Sequence, residues 1–361
     1  MTGFDGVSRV LRDAIAARVF PAATAEVGAS EGVLWQDAFG TLTFDATSAA
    51  TDIETPFDLA SLTKVIATAT GVMRLVHGRA LRLEDQVSAF FDEWRGTDRE
   101  AVTVRDLLEH ASGLSARLVD PPGEGRREFE HDICTMKLEY APRSRSIYSD
   151  LGFILLGFVV ADGGGRSPDG EIRLTPDAAD KGLRTSENVS PYEGLTFAPS
   201  PEARRRAAPT LPMDDDRRRG EMLVGEVHDN YAAALGGIAG HAGLFGSAPA
   251  VGRFARTMLR AARGDTTMPP PFSPELVREF TTKSTVPGNS RALGWDTMLP
   301  TSSCGTRMSS SAFGHVGFTG TSLWIDPDRD RYFVLLTNRV CGGGTIDQMR
   351  EVRRDFHDAV S

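Results

Sequence analysis

The sequence predicts an α+β fold, an antiparallel β-sheet flanked by helices with an inserted, mainly helical lobe. Three observations predict it. Residues 23–40 hold two β-prone runs around a Glu31-Gly32 turn, the pattern of a hairpin. Three further short β-prone runs, 313–318, 321–326 and 331–337, lie near the other end, with a turn at Asp326-Pro327-Asp328. The segments between these ends are mainly helical in period. Strands at both termini with helices between them give one lobe from 1–60 and 235–361 and a helical lobe over 61–234.

Taken in order, Val7, Val10, Leu11, Ile15 and Val19 stand near helical spacing and predict an amphipathic N-terminal helix. The hairpin follows, and helices are then expected at 60–77, 83–91, 104–110 and 150–160, with a last one at 346–360. Residues 163–220 break the pattern with three consecutive glycines, several prolines, an aspartate triplet and two arginine triplets, and read as a long surface excursion. Acidic residues lie close to those triplets, so a solvated surface accounts for them better than an anion site.

Composition bounds the function. The 361 residues are 40% hydrophobic and 25% charged, as in an ordinary folded protein, and suffice for a sizeable core. A net charge of −9 argues against nucleic acid as a partner. The apolar run at 151–161 is too short to cross a bilayer, and the N-terminus lacks the apolar stretch of a secretory signal, so no membrane role and a cytoplasmic location are expected. Cys134, Cys304 and Cys341 are odd in number and without a CxxC pair, which suggests reduced, buried thiols.

Only four lysines occur, at 64, 137, 181 and 283, in a chain that otherwise prefers arginine. Lysine, unlike arginine, changes its protonation state readily when buried. Lys64 closes the one S-x-x-K in the chain, in TPFDLASLTK ahead of an apolar-periodic helix. Residues three apart on a helix share a face, so Lys64 can act on the Ser61 hydroxyl, which is a poor nucleophile unaided. Alone, the tetrapeptide equally fits a capping serine and a snorkelling lysine.

Two further motifs follow in order, Tyr148-Ser149-Asp150 and His315-Val316-Gly317. With FDLASLTKVIAT, VTVRDLLEHASGL, YSDLGFILLG, GEVHDNYAAALGGIAGHAGLFG and GHVGFTGTSLWIDPDRDRYFVLLTNR, the chain resembles the serine β-lactamase and penicillin-binding superfamily. The likeness is greatest to its class C β-lactamase-like branch of esterases and D-alanyl-D-alanine carboxypeptidases. It implies a β-lactamase/transpeptidase-like fold and an acyl-enzyme on Ser61, with Lys64 and Tyr148 sharing its proton and Asp150 orienting them. The backbone N–H groups of Ser61 and Phe318 would form the oxyanion hole, beside Gly317, which lets substrate approach closely.

Two departures shape the expected chemistry. Asp150 stands where β-lactamases usually have asparagine; its charge favours a protonated Lys64, which helps Tyr148 become phenolate, so Tyr148 is expected to be the base. His315 stands in place of a lysine that helps hold a substrate carboxylate; a mostly neutral imidazole can donate a hydrogen bond but little fixed charge. A small ester or amide is therefore the expected substrate, ahead of a carboxypeptidase or β-lactamase activity, unless a neighbouring arginine restores the charge. A penicillin-binding sensor without turnover is the rival class. Neither metal nor cofactor is expected: His228, Asp229 and His241 match no metal spacing, and read instead as a glycine-rich cleft loop with His228 near substrate. His110 reads as a structural histidine. Oligomeric state is not legible.

Overall fold

The computed structural model describes residues 4–119, 123, 125–163 and 193–360. Its strands are β1 (Ala22–Ala29), β2 (Gly32–Gly40), β3 (Phe57–Asp58), β4 (Phe245–Gly246), β5 (Asp296–Thr297), β6 (Phe313–Val316), β7 (Ser322–Asp326) and β8 (Arg331–Thr337). Six of them form a sheet in the order β2-β1-β8-β7-β6-β5 with every neighbour antiparallel. The expected α+β fold is what the chain adopts, and the terminal strands meet directly where β1 pairs with β8.

Both faces of the inner strands are covered, so β1, β7 and β8 are buried along nearly their whole length, whereas the edge strand β2 is largely exposed. Alternation sorts the side chains. Ala23, Ala25 and Val27 of β1 and Phe333 and Leu335 of β8 pack with Val7 and Leu11 of the N-terminal helix Asp5–Ala16 and Met349 and Phe356 of the C-terminal helix Ile346–Val360. On the opposite face Val334 and Leu336 join Val251, Phe254 and Met258 of the helix Ala248–Ala262. That second core runs on into the helix Asp150–Ala161, buried nearly all round and started by Ser149, whose hydroxyl accepts the Gly152 N–H at 3.3 Å.

Three expectations change. The stretch expected as a helix at 83–91 holds only a 3-10 turn at Val87–Ala89, because Gln86 is extended and bridges Thr103. The helix expected at 104–110 stops at Leu108, with His110 at a φ of +54°. Cys341 is half-buried, while Cys134 and Cys304 are buried as read; all three are free. Within the 163–220 excursion, residues 164–192 lie outside the described residues. One arginine triplet closes the short helix Pro201–Arg206, and in the other Arg218 pairs with Asp216 at 2.6 Å. No helix among the described residues is long and apolar enough to cross a membrane.

Candidate active site

Ser61 stands where β3 turns into a helix. The Asp58 carboxylate accepts the Ala60 N–H at 2.8 Å, and Ala60 adopts a φ of +47°, a left-handed conformation uncommon outside glycine. The N–H groups of Leu62, Thr63 and Lys64 then donate to carbonyls three residues back, a tight turn. The chain continues as a π-helix, Lys64–Ala69, and an α-helix, Thr70–His77. Lys64 thus falls one turn deeper than Ser61 and donates from Nζ to Ser61 Oγ at 3.0 Å.

The second approach to that hydroxyl comes from the head of the helix Asp150–Ala161. Tyr148, just before it, donates from Oη to Ser61 Oγ at 2.8 Å. Asp150, the first residue within it, pairs with Lys64 Nζ at 2.8 Å. The cap of this helix is Ser149, so the Asp150 carboxylate is free for the lysine. Lys64, fully buried, also donates to the His241 carbonyl at 3.0 Å. Three acceptors match the three N–H bonds of an ammonium, leaving no lone pair for base work. Burial opposes that charge, yet Asp150 and Tyr148 together hold the Lys64 pKa above the ordinary lysine value. Burial likewise pushes Tyr148 up, against the pull of Lys64, so its resting form is the phenol.

Behind the pair lies a chain of opposite charges. Arg117 donates to Asp150 at 3.1 Å and to Asp229 at 3.0 Å, and Asp229 receives His241 Nε2 at 2.7 Å. Burial disfavours the Asp229 carboxylate, but His241 and Arg117 keep its pKa well below the usual range. Sequence reading singled out Asp229 and His241 as cleft-loop residues and missed Arg117, which comes from a loop with no motif. Gly240 explains the glycines of this segment in part: a Cβ there would stand 2.0 Å from the Phe153 carbonyl. His110 accepts the Ser149 N–H at 3.0 Å and packs against the Tyr148 ring, a structural position as read.

Ser61 and Tyr148 open on a cleft of about 260 Å³, lined also by Arg291, His315, Gly317, Phe318, Arg339, Ile346 and Arg353 among others. Lys64 and Asp150 sit behind it. Phe318 and Ile346 are 47% and 54% exposed and give the mouth an apolar rim. The turn 317–321 after β6 is stitched to the segment before Ser61: Thr319 Oγ1 donates to the Asp58 carbonyl at 2.8 Å and Thr321 Oγ1 to that of Leu59 at 3.0 Å. Gly317 has no room for a side chain, since a Cβ would meet Thr321 Oγ1 at 2.1 Å and the Leu59 carbonyl at 2.7 Å.

His315 is buried in the cleft wall, and burial, with Arg291 and Lys64 nearby, drives its pKa well below the ordinary histidine value. Its Nδ1 lies 2.9 Å from the Val316 carbonyl. A carbonyl only accepts, so Nδ1 carries the proton and Nε2 keeps a bare lone pair. The neutral ring therefore offers no spare N–H, in contrast to the donor expected from sequence. His228 is buried beneath Phe318, ring centroids 5.5 Å apart, outside the cleft lining; its N–H donates to Asp58 at 2.6 Å.

Asp58 carries a prediction for stability. Burial raises its pKa from 3.8 to about 6, against the help of the His228 and Ala60 N–H groups. A carboxyl whose folded pKa exceeds its unfolded one stabilises the fold below pH ~4 and loses that contribution as pH rises to ~6, about 3 kcal/mol by linkage. In Asp58→Asn the stability difference from the parent is expected to move in the variant's favour across that window and stay constant above it, offset at every pH by the one N–H, of Ala60 or His228, that loses its acceptor to the amide NH2. Parallel denaturation midpoints from pH 4 to 7 would remove the assignment.

Residues 7–356 match the Beta-lactamase family. A putative D-alanyl-D-alanine carboxypeptidase of Escherichia coli (strain K12) is 29% identical over 315 residues, covering 79% of this chain and 69% of that protein. An N-acetylmuramyl-L-alanine amidase of Bacillus subtilis (strain 168) is 31% identical over 313 residues, covering 79% and 68%. Among solved structures, a beta-lactamase/D-alanine carboxypeptidase from Pseudomonas syringae aligns at a TM-score of 0.75 and 13% identity over 99% of both chains. EstCE1, a hydrolase with promiscuous acyltransferase activity, aligns at 0.73 and 18% over 99% of this chain and 98% of its own. At such identities these two speak for the fold. The family match, by contrast, runs from the N-terminal helix to the C-terminal one and takes in every cleft residue described above: the chain belongs to the beta-lactamase family.

Proposed function

We propose that this chain hydrolyses small esters or amides through an acyl-enzyme on Ser61. The observation that carries the reading is the double approach to one hydroxyl, Lys64 Nζ at 3.0 Å and Tyr148 Oη at 2.8 Å from Ser61 Oγ in the cleft wall. Tyr148, as phenolate, takes the Ser61 proton while Oγ bonds to the substrate carbonyl carbon. The Ser61 and Phe318 N–H groups, neither of which donates a hydrogen bond among the described residues, receive the oxyanion. Collapse breaks the bond to the leaving group, which takes the proton back from Tyr148. Water then repeats the sequence on the acyl carbon, releasing the acid and restoring Ser61. Lys64 remains an ammonium throughout, held so by Asp150, and favours the phenolate.

Family members are serine hydrolases acting on small ester, amide or β-lactam substrates. Within that range the way the cleft's donors are already engaged, more than its charge, favours uncharged esters and amides. His315 is neutral, Arg291 pairs with Asp296 at 2.7 Å, and Arg339 and Arg353 donate to backbone carbonyls. A carboxypeptidase is the second reading, favoured by those three guanidinium groups in the lining and by the name of the E. coli relative. A β-lactamase ranks third, and a domain acylated without turnover is the rival of another kind.

Intact-mass measurement tests the reading. A fluorophosphonate is expected to add once, at Ser61, to protein that also turns over a short p-nitrophenyl ester faster than a peptide ending in D-alanyl-D-alanine. An unmodified Ser61 sinks the proposal. A lasting penicillin adduct on protein that turns over neither substrate favours the sensor.

A further inference from the structure

The Ser61 reading uses the Phe318 N–H, and the structure holds a cation on the other end of the same peptide group. Arg353 comes from the C-terminal helix Ile346–Val360, far in sequence from every motif, and is buried with no carboxylate partner among the described residues. Its Nη2 donates to the Gly317 carbonyl at 2.7 Å and to the Thr321 carbonyl at 2.9 Å. A trans peptide points its C=O and N–H in opposite directions. The Gly317 oxygen and the Phe318 N–H are the two ends of one such unit, since the one cis bond among the described residues is Pro270-Pro271.

A charge-assisted hydrogen bond at the oxygen draws electron density from the amide and makes its N–H a stronger donor. The same bond fixes the orientation of the plane. Arg339 supports the next unit, donating to the Phe318 carbonyl from Nε at 3.2 Å and from Nη2 at 2.5 Å. Burial lowers the Arg353 pKa to about 9, which still leaves it protonated at neutral pH.

We propose that Arg353 is a positioning residue for the oxyanion hole, whose guanidinium aims and polarises the Gly317–Phe318 peptide so that its N–H binds developing negative charge more tightly. The inference rests on the Ser61 acylation reading. It separates Arg353 from a merely structural helix residue, because its benefit is realised in the tetrahedral anion and not in the bound substrate.

Three variants test it: Arg353→Lys keeps the charge, Arg353→Gln keeps a neutral donor, and Arg353→Met keeps neither. With a p-nitrophenyl ester, kcat is expected to fall in the order Lys, Gln, Met, by about tenfold to a hundredfold at the end of the series, while KM stays within about threefold. Affinity for a phenylboronic acid, which becomes a tetrahedral anion on serine, is expected to fall in the same order. Should Arg353→Met not fold, the Lys and Gln pair carries the comparison. Parental kcat and boronate affinity in folded Arg353→Gln, or losses confined to KM, overturn the inference. Fluorophosphonate labelling keeps the two levels apart: wild-type protein without a Ser61 adduct overturns the acylation reading, whereas a normal adduct with unchanged Gln kinetics overturns the role of Arg353 alone.

Discussion

Ser61→Ala is expected to lower kcat for a short p-nitrophenyl ester by about 10⁴-fold or more, to what the remaining N–H donors and binding contribute without a nucleophile. The substitution is a clean one. Lys64 loses one of its three acceptors but keeps Asp150 at 2.8 Å and the His241 carbonyl at 3.0 Å, so no buried charge is orphaned. Removing Lys64 instead would leave Asp150 facing Asp229 across Arg117, and breaking such a buried pair costs about 3–5 kcal/mol, mixing a folding defect with a catalytic one. The Ser61 variant is therefore expected to melt within a few degrees of its parent, to take no fluorophosphonate, and to show no burst of nitrophenol. Ester hydrolysis within tenfold of the parent, after subtraction of the buffer rate, would falsify Ser61 as the nucleophile.

How much of this was legible depended on how local the determinants were. The hairpin, the β7–β8 pair and the helix at 346–360 follow from period and turn residues that need no distant partner. The segment 83–91 failed because Leu83, Val87, Phe90 and Phe91 have helical spacing, yet the Val87 N–H bonds the Val102 carbonyl at 2.9 Å and draws the chain out of a helix. Tertiary bonding overrode period there.

The site divides in the same way. Ser61 and Lys64 share one turn, and Tyr148 and Asp150 share one helix start, so motifs found them. Arg117, Thr319, Thr321 and Arg353 act through carbonyls and carboxylates more than thirty residues away, which no spacing reveals. Arg353 did leave a trace: it falls on the buried face of an amphipathic helix, between Met349 and Phe356. A charged residue on an apolar face needs a buried partner. His315 shows the limit of residue type as a guide, since its donor was already spent on Val316.

The pH dependence of the reaction separates the two candidate bases. A base works only in its deprotonated form. Burial raises the Tyr148 pKa above that of ordinary tyrosine despite Lys64, so at neutral pH the phenolate is a minor species whose share grows about tenfold per pH unit. With Tyr148 as base, log kcat/KM is expected to climb with a slope near one from about pH 6 into the alkaline range, bounded by unfolding and not by a plateau. Tyr148→Phe preserves the ring against His110 and beneath Arg291, each about 5 Å away, yet should cost about 10³-fold and lose the slope. Were neutral Lys64 the base, the profile would also rise, but Tyr148→Phe would keep the slope, and Lys64 would have to release a proton that Asp150 helps it retain. A profile flat from pH 6 to 9 excludes both, because it would require a base ionised below that range. Among the described residues Asp150 is then the carboxylate in direct contact with Lys64, and Asp150→Asn reports on it: with Tyr148 as base the rise in log kcat/KM persists, since Asp150 acts by holding the charge of Lys64.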